Sequence, residues 1–165
     1  MGLEDILFVK KSLGKNGKII NIYKFRTMDP KEKQTVSLNE LEHNGHGKPK
    51  DDPRITKTGK ILRKFWLDET PQLYNLIKGD IKLIGVRPMT EEDWKIYPSD
   101  IKEKSLEEKP GWGGQQYAHE QDDSFENCLE RMREYVFWDG SHFKRDMIYL
   151  GKIIYRIIVK GVRSS

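Results

Sequence analysis

The chain has 165 residues, 36% of them hydrophobic and 34% charged, with 4 Trp, 7 Tyr and 6 Phe. That length fits one domain with a real core, and the aromatic content argues against a disordered chain. The one cysteine, Cys128, excludes an intrachain disulfide and fits a reducing compartment, and the sequence offers no secretory signal and no apolar run long enough to span a bilayer.

The net charge of +4 is unevenly spread. Residues 1–90 carry 18 Lys and Arg against 11 Asp and Glu; residues 91–140 carry 6 against 14; residues 141–165 carry 6 against 1. The basic first block suits an anionic ligand and the basic last block an anionic surface. The acidic middle reads as an ordinary solvated face.

The first stretch predicts a β-hairpin. Ile6–Val9 is a short apolar strand, "GKNGK" is a turn with glycines at 14 and 17, and "IINIYKF" is the return strand. Residues 29–53 lack apolar periodicity and read as a mobile loop. His43 and His46 with Asp51 and Asp52 raise the idea of a metal site, but the surrounding glycines and lysines favour a plain loop. A helix is expected over 56–65, with Ile61, Leu62 and Phe65 on one face and Lys57, Lys60 and Lys64 on another. A second is expected over 71–78, capped by Thr70, started by Pro71, stopped at Gly79, and apolar along Leu73, Leu76 and Ile77. "IKLIGV" (81–86) reads as a strand, and "EKPGWGGQQY" as a glycine-rich turn that either shapes a loop or lets backbone approach a ligand. "DSFENCLERMREYVFW" predicts a helix with Phe125, Leu129 and Met132 near one face.

The C-terminal "FKRDMIYLGKIIYRIIVKGVR" predicts a longer amphipathic helix. At 100° per residue, Arg145, Lys152, Arg156, Lys160 and Arg163 share a narrow face. Met147, Leu150, Ile154, Ile157 and Ile158 oppose it. The pattern suits either a core-packing helix with a basic back or an interfacial helix whose bases meet anionic lipid head groups.

The chemistry concentrates in "RKFWLDETPQLYNLIKGD" (63–80). Asp68 and Glu69 lie next to a predicted helix start, where free N–H groups and the helix dipole stabilise anions. Asp68 is therefore either a helix cap or one of a working acid pair. Arg63 lies one turn upstream, Lys24 and Arg26 stand on the return strand, and Arg87 follows the next strand. Together these cations can converge on one anion. Such a set suits phosphoryl transfer, because a carboxylate attacks phosphorus only when the phosphate charge is screened. Attack gives an acyl phosphate, and the second acid can bind a metal or manage a proton.

The motifs "GKNGKIINIYKFRTM" (14–28), "DPRITKTGKILRK" (52–64), "LDETPQLYNLIKGDIKLIGVRP" (67–88) and "KPGWGG" (109–114) resemble the bacterial sugar transferases, also called monotopic phosphoglycosyl transferases. The resemblance covers most of the chain. It implies an α/β fold over residues 1–165: a single small catalytic domain with a short hairpin or sheet, several packed helices and a C-terminal amphipathic helix. It implies transfer of a sugar phosphate from a UDP-sugar to polyprenol phosphate on the cytoplasmic face of the plasma membrane, with release of UMP and with Mg2+ as cofactor. By motif, Asp68 resembles the family's nucleophile and metal-binding acid, and Glu69 its partner. Lys24, Arg26, Arg63 and Arg87 resemble its ligand-binding bases.

The sequence departs from the family pattern at Phe65-Trp66, where Thr-Ser is usual, at Val86 in "GVRP", and at Trp112-Gly113. These changes leave open a catalytically silent, membrane-associated scaffold. Family members also carry a re-entrant membrane helix ahead of the first strand, whereas this sequence opens "MGLEDILF" almost on it; the chain is expected to be either trimmed, the favoured reading, or a naturally short member. A nucleic-acid partner is not expected: the basic first block lacks a binding motif and the middle is acidic.

Overall fold

The computed structural model describes residues 6–29, 52–119 and 124–161. The stretch with His43, His46 and Asp51 lies outside them, as does Arg163. Asp52 is described: it is buried and bonded to Arg54, at 2.8 Å to Nε and 2.5 Å to a terminal nitrogen, a local ion pair.

The hairpin forms from β1 (Leu7–Leu13) and β2 (Ile19–Phe25), paired antiparallel from Leu7–Phe25 to Leu13–Ile19. Asn16 and Gly17 take positive φ in the turn between them. Alternation on β2 buries Ile20 and Ile22, so Lys24 is next on that face. Lys10 is the cross-strand partner of Ile22 and shares its face.

Helix α1 (Lys57–Lys64) starts where expected, because the Thr56 side chain accepts from the Gly59 amide at 2.9 Å. It crosses the chain at Thr27 almost in contact. A Cβ on Gly59 would lie 2.2 Å from the Thr27 carbonyl oxygen. That carbonyl accepts from the Thr56 amide at 3.0 Å, and the Thr27 hydroxyl accepts from Arg63 Nε at 3.0 Å. Gly59→Ala is therefore expected to push α1 off Thr27 and cost about 1–3 kcal/mol. Gly151→Ala is the contrast. This glycine lies in the middle of the C-terminal helix and has open space where a methyl group would sit, so the change should stabilise by about 0.5–1 kcal/mol. Denaturant midpoints test both, and equal shifts would refute the close crossing.

Past α1 comes a 3-10 turn at Leu67–Glu69, then α2 (Gln72–Lys78), which ends at Gly79 in the left-handed region. Thr70 does not cap α2; its hydroxyl donates to the Leu67 carbonyl at 2.8 Å. The expected apolar faces of α1 and α2 are turned largely outward: Ile61, Phe65 and Leu73 are exposed and Ile77 is 87% exposed, while Leu62 is half-buried and Leu76 packs against the Ile20, Ile22 and Ile81 cluster. The inward face of α2 is polar, built from Gln72 and Asn75. Asn75 Nδ2 donates to the Asn21 carbonyl at 2.6 Å, and its Oδ1 accepts from the Tyr23 amide, which stitches α2 to β2.

Strand β3 (Lys82–Gly85) pairs in parallel with β4 (Gly111–Gly114), so the predicted glycine-rich turn is a strand. The pairing explains the glycines: a Cβ on Gly111 would sit 2.0 Å from the Gly85 nitrogen. Between them lie α3 (Glu91–Trp94), closed by a Thr90–Asp93 capping box, and α4 (Ser99–Leu106), neither foreseen from the sequence. After β4 comes a 3-10 turn at Gln115–Ala118, then α5 (Phe125–Val136) and α6 (His142–Lys160). The main core joins Ile84, Val86, Trp94, Ile101, Tyr117, Met132, Tyr135, Tyr149 and Ile153. The fold is thus mixed α/β with two small sheets and packed helices.

Helix α6 keeps part of its expected facing, since Leu150 packs against the main core and Lys152 and Lys160 are exposed, and departs from it elsewhere. Its buried residues are Arg145, Tyr149 and Ile153. Met147, Ile154 and Ile158, expected on a packing face, are exposed. Arg145 is 0% exposed. It donates two bonds to Glu108, at 3.0 and 2.7 Å, one to Asp146 and one to the Tyr135 carbonyl, with its guanidinium 3.9 Å over the Tyr135 ring. Lys82, at the start of β3, pairs with both Glu108 and Asp146. Burial pushes the Glu108 carboxyl up, but the bonds from Arg145 and Lys82 prevail and hold it at about 2. This network pins α6 and the segment before β4 to β3, the strand that leads to Arg87.

Candidate active site

Asp68 and Glu69 lie in the 3-10 turn and are 5% and 6% exposed. Trp66, at φ 60° and ψ 15°, precedes this turn and reverses the chain at the end of α1. Facing the turn is the inward face of β2. Lys24 Nζ meets Glu69 Oε1 at 2.5 Å. Both line a shallow open cleft with Lys10, Ile22, Gln72, Arg87, Trp112, Gln116 and Tyr117.

Burial governs the electrostatics. It pushes the Asp68 carboxyl above the usual range, and the neighbouring Glu69 charge adds to this; Lys24 and Arg63 pull the other way without prevailing. The expected stabilisation of Asp68 by a helix end therefore does not win. The helix that follows starts only at Gln72 and makes no side-chain cap. Burial also lowers Lys24, reinforced by Arg87 and opposed by Glu69. Arg63 is lowered by burial as well, against the pull of Asp68 and Asp52.

Of the predicted site residues, Glu69, Lys24 and Arg87 line the cleft, while Asp68 and Arg63 lie beside it, each within electrostatic reach of the other, without lining it. Arg87 lines the cleft and has no hydrogen bond or ion pair to another described residue. Arg26 does not line it. Its guanidinium lies 5.9 Å from the Phe8 ring centroid and donates to the Leu7 carbonyl at 3.4 Å. Lys10, Gln72, Trp112, Gln116 and Tyr117 line the cleft without having been singled out. For Lys10 the signal was present: the hairpin register that places Ile22 inward places Lys10 beside it. Its Nζ is held by Asp93 at 2.7 Å.

One feature of the acid pair fits a divalent cation. Asp68 Oδ1 is buried and has no hydrogen-bond partner. Among the described residues no three His, Cys, Asp or Glu side chains group as a metal cage. Magnesium commonly takes only one or two protein carboxylates and completes its shell with phosphate and water. Asp68, with Glu69 beside it, is the donor set that matches.

The family model described as "Bacterial sugar transferase" matches residues 2–162. The chain is 43% identical over 112 residues to a galactosyl transferase, CpsE, of Streptococcus agalactiae, a match covering 66% of this chain and 24% of that protein. It is 35% identical over 115 residues to an undecaprenyl-phosphate galactose phosphotransferase of Salmonella typhimurium, covering 66% and 24%. It is 36% identical over 117 residues to the exopolysaccharide production protein ExoY of Sinorhizobium fredii, covering 67% and 51%. The matched region thus spans about a quarter of the first two relatives and half of the third. With the family match running over nearly its whole length, the chain belongs to the bacterial sugar transferase family.

Proposed function

We propose that the chain carries the transfer of a sugar 1-phosphate from a UDP-sugar to polyprenol phosphate, at the cytoplasmic face of the plasma membrane. The observation that carries this reading is a buried Asp68 with an unpartnered oxygen, set beside Glu69 and within electrostatic reach of Lys24 and Arg63, with Arg87 in the adjoining cleft. The relatives named for transfer onto lipid carriers support the same substrates. An Asp68 oxygen attacks the sugar-bearing phosphorus of the donor, the bond to the UMP oxygen breaks, and UMP leaves. The aspartyl phosphate is then attacked by an oxygen of polyprenol phosphate. This frees Asp68 and forms a polyprenyl diphosphate sugar. Lys24, Arg63 and Arg87 screen the phosphate oxygens, and Glu69 manages a proton or shares the metal. Mg2+ held by Asp68 would neutralise charge on the diphosphate. UMP release from a panel of UDP-sugars with Mg2+ and polyprenol phosphate in detergent tests the reading. Vesicle binding with no release for any donor would favour the silent scaffold instead.

The acceptor presents its phosphate at a lipid surface, so the protein surface beside Asp68 has to meet that surface. Among the described residues no helix is long and apolar enough to cross a membrane. Ile61, Phe65, Leu67, Tyr74 and Ile77 are exposed on α1, the acid turn and α2, with Lys57, Lys60 and Lys64 on α1. Apolar side chains rimmed by lysines fit an anionic bilayer interface. Vesicle co-sedimentation should rise with anionic lipid and fall with salt, and Phe65→Ser with Ile77→Ser should cut binding at least about fivefold. Loss on Ile154→Ser with Ile158→Ser, and not on the first pair, would move the contact to α6.

A further inference from the structure

Trp66 stands out among the described residues. Only Asn16 and Trp66 are non-glycine residues at positive φ. Asparagine in a hairpin turn is ordinary; a bulky aromatic residue in the left-handed region is not. It occupies the helix end where glycine is usual. The chain thus holds a strained backbone at the joint between the helix that carries Arg63 and the turn that carries Asp68 and Glu69.

Backbone bonds and a ring contact are among the interactions that hold that joint. The Trp66 amide donates to the Arg63 carbonyl at 3.3 Å, and the Trp66 carbonyl accepts from the Glu69 amide at 3.4 Å. Both bonds are long, so these two fix the joint weakly, although within the turn the Thr70 hydroxyl and amide donate to the Leu67 carbonyl at 2.8 and 3.2 Å. The ring adds a packing contact. It packs edge-to-face on Tyr117, with centroids 4.7 Å apart and planes at 69°. Tyr117 is itself buried in the main core and lines the cleft with Glu69 and Arg87. The indole therefore ties the acid turn to the far wall of the same cleft.

We infer that Trp66 is a positioning residue: its ring, clamped on Tyr117, holds the left-handed joint that sets Asp68 and Glu69 against Arg63. The catalytic part of this inference rests on the function proposed above. The structural part does not, and the test separates them.

The variants are Trp66→Phe, Trp66→Ala and Trp66→Gly. Glycine relaxes the left-handed backbone and alanine does not, so the glycine variant should be the more stable of the two. If the ring positions the acids, both should lose kcat by ~10²-fold with KM nearly unchanged, while Trp66→Phe stays within ~10-fold of the parent. Hydrogen exchange at the Asp68, Glu69 and Thr70 amides reads the same joint without any substrate. It should speed up at least about tenfold in Trp66→Ala and Trp66→Gly, beyond any change at the core amides of Ile84 and Ile153, and should be retained in Trp66→Phe. Tyr117→Leu should reproduce that local change and add little on top of Trp66→Ala. Unchanged exchange at the three amides overturns the inference, and so does activity that simply follows stability from alanine to glycine. Faster exchange together with an inactive parent chain would keep the joint and sink the transfer reading alone.

Discussion

Asp68→Asn should abolish turnover and leave the protein at least as stable as before. The amide keeps the size of the carboxylate and cannot form an acyl phosphate, so sugar-phosphate transfer should fall by about three orders of magnitude or more. The stability half follows from the direction of the Asp68 shift. Burial, then Glu69, raises its pKa in the folded chain. A raised acid contributes stability that is complete below its unfolded pKa and is lost as pH rises through its folded pKa. At neutral pH the ionised Asp68 therefore weakens the fold, and asparagine removes that charge. Melting at pH 7 should show Asp68→Asn equal to the parent or a few degrees above it, with the gap closing near pH 4. A variant that melts well below the parent at pH 7 would mean that the pulls of Lys24 and Arg63 outweigh burial. Near-full turnover would remove Asp68 as nucleophile.

Arg87→Lys should separate binding from folding. Arg87 follows β3, reaches into the cleft and has no ion pair to another described residue, so the fold asks little of its fork of donors. A diphosphate asks much more, because guanidinium gives two parallel bonds where ammonium gives a point charge. Turnover of nucleotide sugar should fall by ~10²-fold while the melting temperature moves by no more than about a degree. The opposite pattern, lost stability with intact turnover, would make Arg87 a structural residue.

Several elements were legible because their signals are local. The alternation of Ile20, Ile22 and Lys24 gives the inward face of β2. Thr56 marks the start of α1 through one side-chain bond, and the acids and bases of the cleft stand out as charged groups in specific motifs. Signals that depend on distant partners were not legible. The stretch from Gly111 to Gly114 read as a turn because glycines usually mark one, yet here Gly111 and Gly85 let two strands approach more closely than a Cβ permits. Arg145 read as a solvated base because Glu108, 37 residues away, is invisible to periodicity. Arg26 was grouped with Lys24 by motif, but the strand ends at Phe25 and the side chain turns to Phe8 and Leu7. Periodicity located a face on α1, α2 and α6 and was silent on its direction.

The outward-turned side chains of these helices bear on how the chain could be engineered. Replacing Ile61, Phe65, Ile77, Ile154 and Ile158 with polar residues would look like routine solubility improvement. The fold would tolerate it, because none of the five is in either buried cluster. What would be stripped away is the part of the molecule matched to oil rather than to water. If the chain meets a bilayer as proposed, selection on expression alone pulls this scaffold away from it.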